Sequence, residues 1–485
     1  MLVHLAAALA VPPHAASVLA SAAPEMDDLV WTCKSHDSAR TGFSPSFSGP
    51  SDFTTGPAWR HPMVGSIEGS TIYAAYSSPV IDHEGNIYAY GTVVPMTKFS
   101  PDGAILWNNS DLGYSYTAVS PVLHKRKDGG VSVVGADSTG GHIFAVDAAT
   151  GKQLYEKTVA RPVQQAYFTW MLSGAEGIAV VPSSSNGIYL DTFTGVNMED
   201  GTGLWNYTWA FNGSGYNFML AIEHVSDGVF AAVVQDPGGG VYAMDLHTGK
   251  ELWKNLDLWT IGNVSFTTAG CLISDKTVLC ASNAPPTRTV KGDHPNVIKT
   301  AEHLQNWLDF WSMGGIIHAH SLKDGKMLWR HNSTLPVNAA GAAANGLFYY
   351  GAGKNAPGSG APLGSHAPWP GVMEAINIST GQVVWSTKAH TLIGYISPRA
   401  TDKIPTNVEC EPDSFANPSV GADGTVYFGW HGGMVYALDG RTGTVKSEYP
   451  TGTGIQANPA IGDGMVAFLT CNELIVFKTN QTNDE

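Results

Sequence analysis

The stretch Gly240-Val-Tyr-Ala-Met-Asp245-Leu-His-Thr-Gly249-Lys-Glu-Leu-Trp253 decides the architecture. Val241 to Met244 reads as a short strand and Asp245 to Gly249 as a tight turn in which Gly249 can take positive φ; a second strand then runs to Trp253. The frame recurs in Gly141–Tyr155, where Asp147, Gly151 and Tyr155 take the key places. It recurs with decay in Phe99–Trp107, Ile317–Trp329, Met373–Trp385 and Val435–Val445.

Upstream of each unit lies another hairpin, as in Asn417–Gly429 with its turn at Asp423-Gly424, so four strands make one repeat. The closing aromatic or its equivalent falls at Trp59, Trp107, Tyr155, Trp205, Trp253, Trp329, Trp385 and Val445. These positions mark eight units with a basic period of about 48 residues. A four-stranded sheet of that length cannot bury both faces alone, and stacking the units radially closes the ring with few exposed edges. The expectation is an all-β, eight-bladed β-propeller in one domain over residues 31–478, with a C-terminal tail at 479–485. The last repeat, Asn458 to Lys478, lacks the closing turn and aromatic, whereas Trp59 has no hairpins before it. The N-terminal strand is therefore expected to complete the last blade.

Composition narrows the partners. The chain has 26 basic against 41 acidic residues, a formal net charge of -15, the wrong sign for a nucleic-acid backbone or an anionic membrane surface. No apolar run reaches the length of a membrane span. Residues 1–23 read as a secretory signal peptide: Leu2 to Val11 is apolar, and Ala20-Ser21-Ala22 has the small-residue form of a cleavage site, although His4 is the sole cationic candidate before the apolar stretch. Sequons at Asn108, Asn206, Asn212, Asn263, Asn332, Asn377 and Asn480 fit passage through a eukaryotic secretory route and mark candidate glycosylation sites. The expected location is outside the cell or in an endomembrane lumen. Cys271 and Cys280 flank the Asp275-Lys276 turn and fall at a non-hydrogen-bonded pair, where a disulfide can close, with two buried thiols as the alternative. Cys33 and Cys471 are a second conceivable pair.

The repeat resembles that of the pyrroloquinoline quinone (PQQ) propellers, the quinoprotein alcohol dehydrogenase-like family, in which the closing Trp docks between adjacent blades. The resemblance covers roughly residues 31 to 478 and includes the entry segments Asp37-Ser-Ala-Arg-Thr-Gly42-Phe-Ser44 and Pro57-Ala-Trp-Arg60-His. It implies the architecture; the activity stays open, because the same repeat builds both dehydrogenases and non-catalytic scaffolds. Dehydrogenases of the family commonly hold their quinone against a ring made by two adjacent cysteines. This chain has no adjacent cysteine pair and no Cys-x-x-Cys-His haem attachment site.

In a propeller of this type the first strands line a central funnel, and alignment places Ser78, Ser120, Trp170, Ala221, Ala269, Asn338, Asn417 and Asn458 in a ring at their start. Trp170 offers a stacking face. Ser78, Ser120, Asn338, Asn417 and Asn458 offer hydroxyls and amide carbonyls for a flat polar ligand, and the three Asn could ligate Ca²⁺. The alternative is that Asn and Ser simply cap strand starts.

Three insertions, near 282–313, 354–370 and 389–415, emerge on the face where first strands begin. The first contains Val297–Trp311, with the spacing of an amphipathic helix. The second holds Lys354, Asn355, His366 and Trp369. The third carries His390, Tyr395, Arg399, Glu409, Cys410, Glu411 and Asp413, among which Glu411 or Asp413 is the candidate general base. His318 and His320 share a strand face, and Glu223-His224 follows a first strand; both are secondary candidates.

The functional expectation is a monomeric, secreted binding or interaction module without cofactor, taking a protein, small-molecule or carbohydrate ligand at the funnel face. The alternative is a dehydrogenase using PQQ and Ca²⁺ to oxidise an alcohol or sugar.

Overall fold

The computed structural model describes residues 30–64, 72–73, 77–91, 94–109, 120–136, 141–159, 172–185, 191–209, 220–236, 239–258, 270–283, 314–337, 339–353, 368–369, 371–390, 392–393, 408–409, 415–430, 432–455 and 457–479. The chain forms eight four-stranded antiparallel sheets arranged as blades of a propeller. Blades one to seven run over 80–109, 122–158, 173–208, 221–255, 271–333, 342–388 and 419–450. Blade eight combines 460–478 with the N-terminal strand Trp59–Pro62, which pairs antiparallel with Glu473–Lys478 and closes the ring.

The first strands of neighbouring blades touch, which places them innermost, and the fourth strands form the rim. The core lies between blades. Ile178, Val180 and Phe193 of blade three, for example, pack on Ile222, Ala232 and Tyr242 of blade four. Alternate residues of a strand serve opposite neighbours: Leu272, Leu279 and Ile317 of blade five face blade six, while Cys271, Ile273, Val278 and Cys280 face blade four.

The repeated turn and aromatic form one joint. The indole Nε1 of Trp107 donates to Ala148 O of the next blade at 3.0 Å, and Trp205, Trp253, Trp329 and Trp385 do the same to Leu246, Leu322, Ile378 and Gly440. Each ring lies on the turn glycine of that next blade. Gly249 has φ +68°, and a Cβ there would stand 2.6 Å from the Trp205 ring. Glycine is thus required both for the backbone conformation and for the close approach.

Blade seven departs from the sequence alignment. Register places Ser447, opposite Ala437, where Trp385 stands opposite Ala375, so the aromatic position is Ser447 and not Val445. Phe53 supplies the missing ring: its N–H donates to Ser447 Oγ at 2.8 Å, and it packs on Phe477 and Tyr427.

Cys271 and Cys280 are opposite in register, with Cα atoms 4.2 Å apart, and form a disulfide across a turn in which Asp275 and Lys276 both have positive φ. Cys471 is also disulfide-bonded, whereas Cys33 is a buried free thiol. The conceivable Cys33–Cys471 pair therefore does not form, and the Cys33 thiol instead donates to Asp37 O at 3.0 Å. No helix among the described residues is long and apolar enough to cross a membrane. The helical spacing at 297–311 lies outside the described residues.

Candidate functional site

The first strand of a blade has one edge without a partner in its own sheet, and eight such edges converge on the axis. Unpaired backbone groups buried there would be costly. Residues 31–44 meet that need by running through the centre of the ring as a strap. Trp31 exchanges backbone hydrogen bonds with Ile81 of blade one, at 2.9 and 3.0 Å. Inner-strand N–H groups then donate to strap carbonyls: Leu123 to Thr32 at 2.8 Å, Ile222 to Ser38 at 2.7 Å, Ile273 to Ala39 at 2.8 Å, Ala343 to Thr41 at 2.7 Å and Val420 to Gly42 at 2.7 Å. These five bonds engage blades two, four, five, six and seven.

Blade three is reached through Arg40, which is completely buried. Its guanidinium donates to Leu172 O at 2.8 Å, Ser173 Oγ at 2.6 Å and Leu220 O at 3.1 Å, and also to Lys34 O. Burial lowers its pKa, and the nearby Cys33 and Asp37 oppose that shift. The five-donor fork of arginine matches such a cage of oxygens. Burial also works against ionisation of Asp37, but hydrogen bonds from His36 and from the N–H and hydroxyl of Thr41 outweigh it and hold the carboxyl below its usual range.

The ring residues expected from sequence meet at this strap. Asn417 Nδ2 donates to Ser35 Oγ at 3.4 Å, and Asn458 Nδ2 donates to the same oxygen. The Asn458 N–H donates to Ser78 Oγ at 2.9 Å, and the Ser78 N–H to Ser120 Oγ at 2.8 Å. Blades two, one, eight and seven are thereby linked in a chain that passes through Ser35. Ser78, Ser120, Asn417 and Asn458 are all buried, at 0%, 0%, 3% and 1% exposure. Ala221 opens the first strand of blade four. Trp170, Ala269 and Asn338 lie outside the described residues.

The described members of this set do not by themselves make a Ca²⁺ site. The amide donors of both Asn are tied to the strap, no carboxylate stands among the described ring residues, and the buried oxygens without a partner there are Asn458 Oδ1 and Ser77 Oγ. Ca²⁺ requires six to eight oxygens.

On the insertion face two short pairings join segments far apart in sequence. Pro368–Trp369 of the second insertion pairs with Leu392–Ile393 of the third. Val408–Glu409 of the third pairs parallel with Ile72–Tyr73, in the connection from blade eight to blade one. Backbone pairing thus ties the sector of blade six to that of blade one. Lys354, Asn355, His366, Tyr395, Arg399, Cys410, Glu411 and Asp413 lie outside the described residues. His390 is exposed and pairs with Glu448 of the blade-seven rim strand at 2.9 Å.

The secondary candidates fall elsewhere. Glu223 pairs with Lys276, on the turn joining the first two strands of blade five, at 3.1 Å. That turn is on the face opposite the insertions, and Glu223-His224 lies in the first strand of blade four. His320 Nδ1 meets the carbonyl of Gly325 at 3.1 Å, and a carbonyl only accepts. The proton is therefore on Nδ1, His320 Nε2 accepts from His318 Nδ1 at 2.8 Å, and His318 Nε2 is a bare lone pair, buried without a partner. Burial depresses the pKa of both rings, that of His318 well below 6.5. Among the described residues no three His, Cys, Asp or Glu stand together as a metal site.

Sequence reasoning missed the strap as part of the site. Its signal was present in Asp37-Ser-Ala-Arg-Thr-Gly42, an entry motif with no repeat partner elsewhere in the chain.

Comparison with known proteins gives one family match: the family model for the outer membrane protein assembly factor BamB covers residues 59–284. No curated protein matches the sequence. Among solved structures, BamB from Moraxella catarrhalis superposes with a TM-score of 0.52 at 13% identity, over 85% of this chain and 99% of that one. The quinohemoprotein alcohol dehydrogenase from Comamonas testosteroni gives 0.60 at 14% identity, over 92% and 80%. The quinohemoprotein alcohol dehydrogenase ADHIIG from Pseudomonas putida HK5 gives 0.61 at 13% identity, over 93% and 80%. At these identities the likeness speaks for the fold.

Proposed function

Because the chain belongs to the PQQ-repeat eight-bladed β-propeller family, we propose that it is a secreted, monomeric binding module that takes its ligand on the face where the three insertions emerge. The carrying observation is the strap. With residues 31–44 bonded along the axis, and Asn417 and Asn458 tied to Ser35, the contact surface is the insertion face and not an axial cavity. The pairings of 368–369 with 392–393 and of 72–73 with 408–409 support that choice, since they give the face a connected backbone frame. The name of one structural relative, BamB, designates an assembly factor, and a role of that kind needs no bound quinone. The ligand class is a protein, a small molecule or a carbohydrate.

The rival reading is a quinone-dependent dehydrogenase, with Trp170 stacking, Asn338, Asn417 or Asn458 on Ca²⁺ and Glu411 or Asp413 as base. Calorimetric titration of the folded chain with PQQ in excess Ca²⁺, followed by a dye-linked assay over alcohols and sugars, separates the two. The module reading expects neither saturable heat nor dye reduction. One-site binding with alcohol- or sugar-dependent dye reduction would overturn it.

A further inference from the structure

The rim of the propeller is made of eight edge strands, and an edge strand is a template for unwanted pairing unless charge, proline or a covering group blunts it. Six of them carry charge: Arg60, Glu156 and Lys157, Glu251 and Lys254, Arg330, Lys388, and Lys446 with Glu448 lie in the rim strands of blades eight, two, four, five, six and seven. Two carry none. The rim strand of blade one reads Ile105-Leu-Trp-Asn-Asn109, and that of blade three reads Gly203-Leu-Trp-Asn-Tyr-Thr208.

These two uncharged strands also present apolar groups to solvent, with Ile105 47%, Leu106 52% and Leu204 47% exposed. Each carries a sequon on the same outward face. Asn108 is exposed two residues after Leu106, and Asn206 two residues after Leu204, with Trp107 and Trp205 turned inward between them. Asn206 Oδ1 accepts from Thr194 Oγ1 at 2.7 Å, a bond that does not involve Nδ2, the atom to which a sugar attaches.

We propose that Asn108 and Asn206 are N-glycosylated and that their glycans cover the two rim strands that lack charge. The inference rests on the secretory routing in the functional reading above. In the transfer, Asn Nδ2 forms a bond to C1 of an activated oligosaccharide as the C1–O bond to its lipid pyrophosphate breaks. The amide loses one proton, and the pyrophosphate leaves with the bonding electrons. A bulky polar glycan beside Leu106 and Leu204 does sterically what Glu156 or Lys254 does by charge.

The test uses the full chain expressed in a eukaryotic host, once with its own N-terminus and once behind the host's signal peptide. Peptide mass spectrometry after amidase release in heavy-oxygen water reads both sites. Asn108→Gln and Asn206→Gln should each remove one glycan step on a gel. The double Gln variant should self-associate in light scattering, and the double Asn108→Lys, Asn206→Lys variant should return to the monomer mass, because charge replaces the glycan. Retention of the first form inside the cell would sink the routing alone. Secreted second form with unmodified Asn108 and Asn206, or a double Gln variant that stays monomeric, would overturn the proposal.

Discussion

At the residue scale, two buried side chains carry measurable consequences. Arg40 has four oxygen acceptors with no carboxylate among them, one in the strap and three at blades three and four, so its removal takes a buried donor from the carbonyls of Lys34, Leu172 and Leu220. Arg40→Met should lower unfolding free energy by at least about 3 kcal/mol. Arg40→Lys should recover less than half of that, since one ammonium cannot span the cage. Urea midpoints at constant slope would read both, and a Lys variant as stable as wild type would contradict the fork argument. His318 gives a pH signature. Its pKa is depressed by burial and by His320, so the unfolded chain takes up near pH 6.5 a proton that the native interior refuses. Stability therefore falls as pH drops below about 6.5 and returns above it, by about 2 kcal/mol between pH 7 and 5 for one histidine that stays neutral. In His318→Leu that component of the thermal-melt pH profile should vanish.

At the scale of elements, the joint between a Trp and the next blade's turn glycine is the unit that repeats. Gly249→Ala adds a Cβ at φ +68°, 2.6 Å from the Trp205 ring, and should cost at least about 2 kcal/mol. Trp205→Leu removes the clash together with the bond to Leu246, so the double variant should be less destabilised than the sum by about 1 kcal/mol or more. Strict additivity would show that the two do not act as one joint. This coupling explains why the blades were legible in the sequence: Gly, turn and Trp recur because each unit must fit an identical neighbour. It also explains the misplacement at blade seven. Ser447 needs Phe53, which approaches from a separation of 394 residues, and no local pattern around Val445 marks that substitution. The ring positions Ser78, Ser120, Asn417 and Asn458 were legible by alignment for the same reason as the blades. Their partner was not, because Ser35 belongs to a segment without periodicity.

At the scale of the whole molecule, the strap makes eight quasi-independent blades into one cooperative body. A ring of repeats whose blades met only their neighbours could open one interface at a time. Here the N–H groups of Leu123, Ile222, Ile273, Ala343 and Val420, from five blades, all end on a segment of eleven residues, Thr32 to Gly42. Ser35, His36 and Arg40 hold positive φ within it, conformations that persist only where the surroundings over-determine them. Releasing the strap from one blade removes the support for those conformations and for the bonds to the others, so the segment should leave all the inner strands together. Hydrogen exchange followed by mass spectrometry would then give the five inner-strand peptides one common opening free energy, equal to that of global unfolding, and Arg40→Met should lower all five by the same amount. Different protection from blade to blade, or an Arg40 effect confined to blades three and four, would mean that the strap only fills the axis and does not couple the ring.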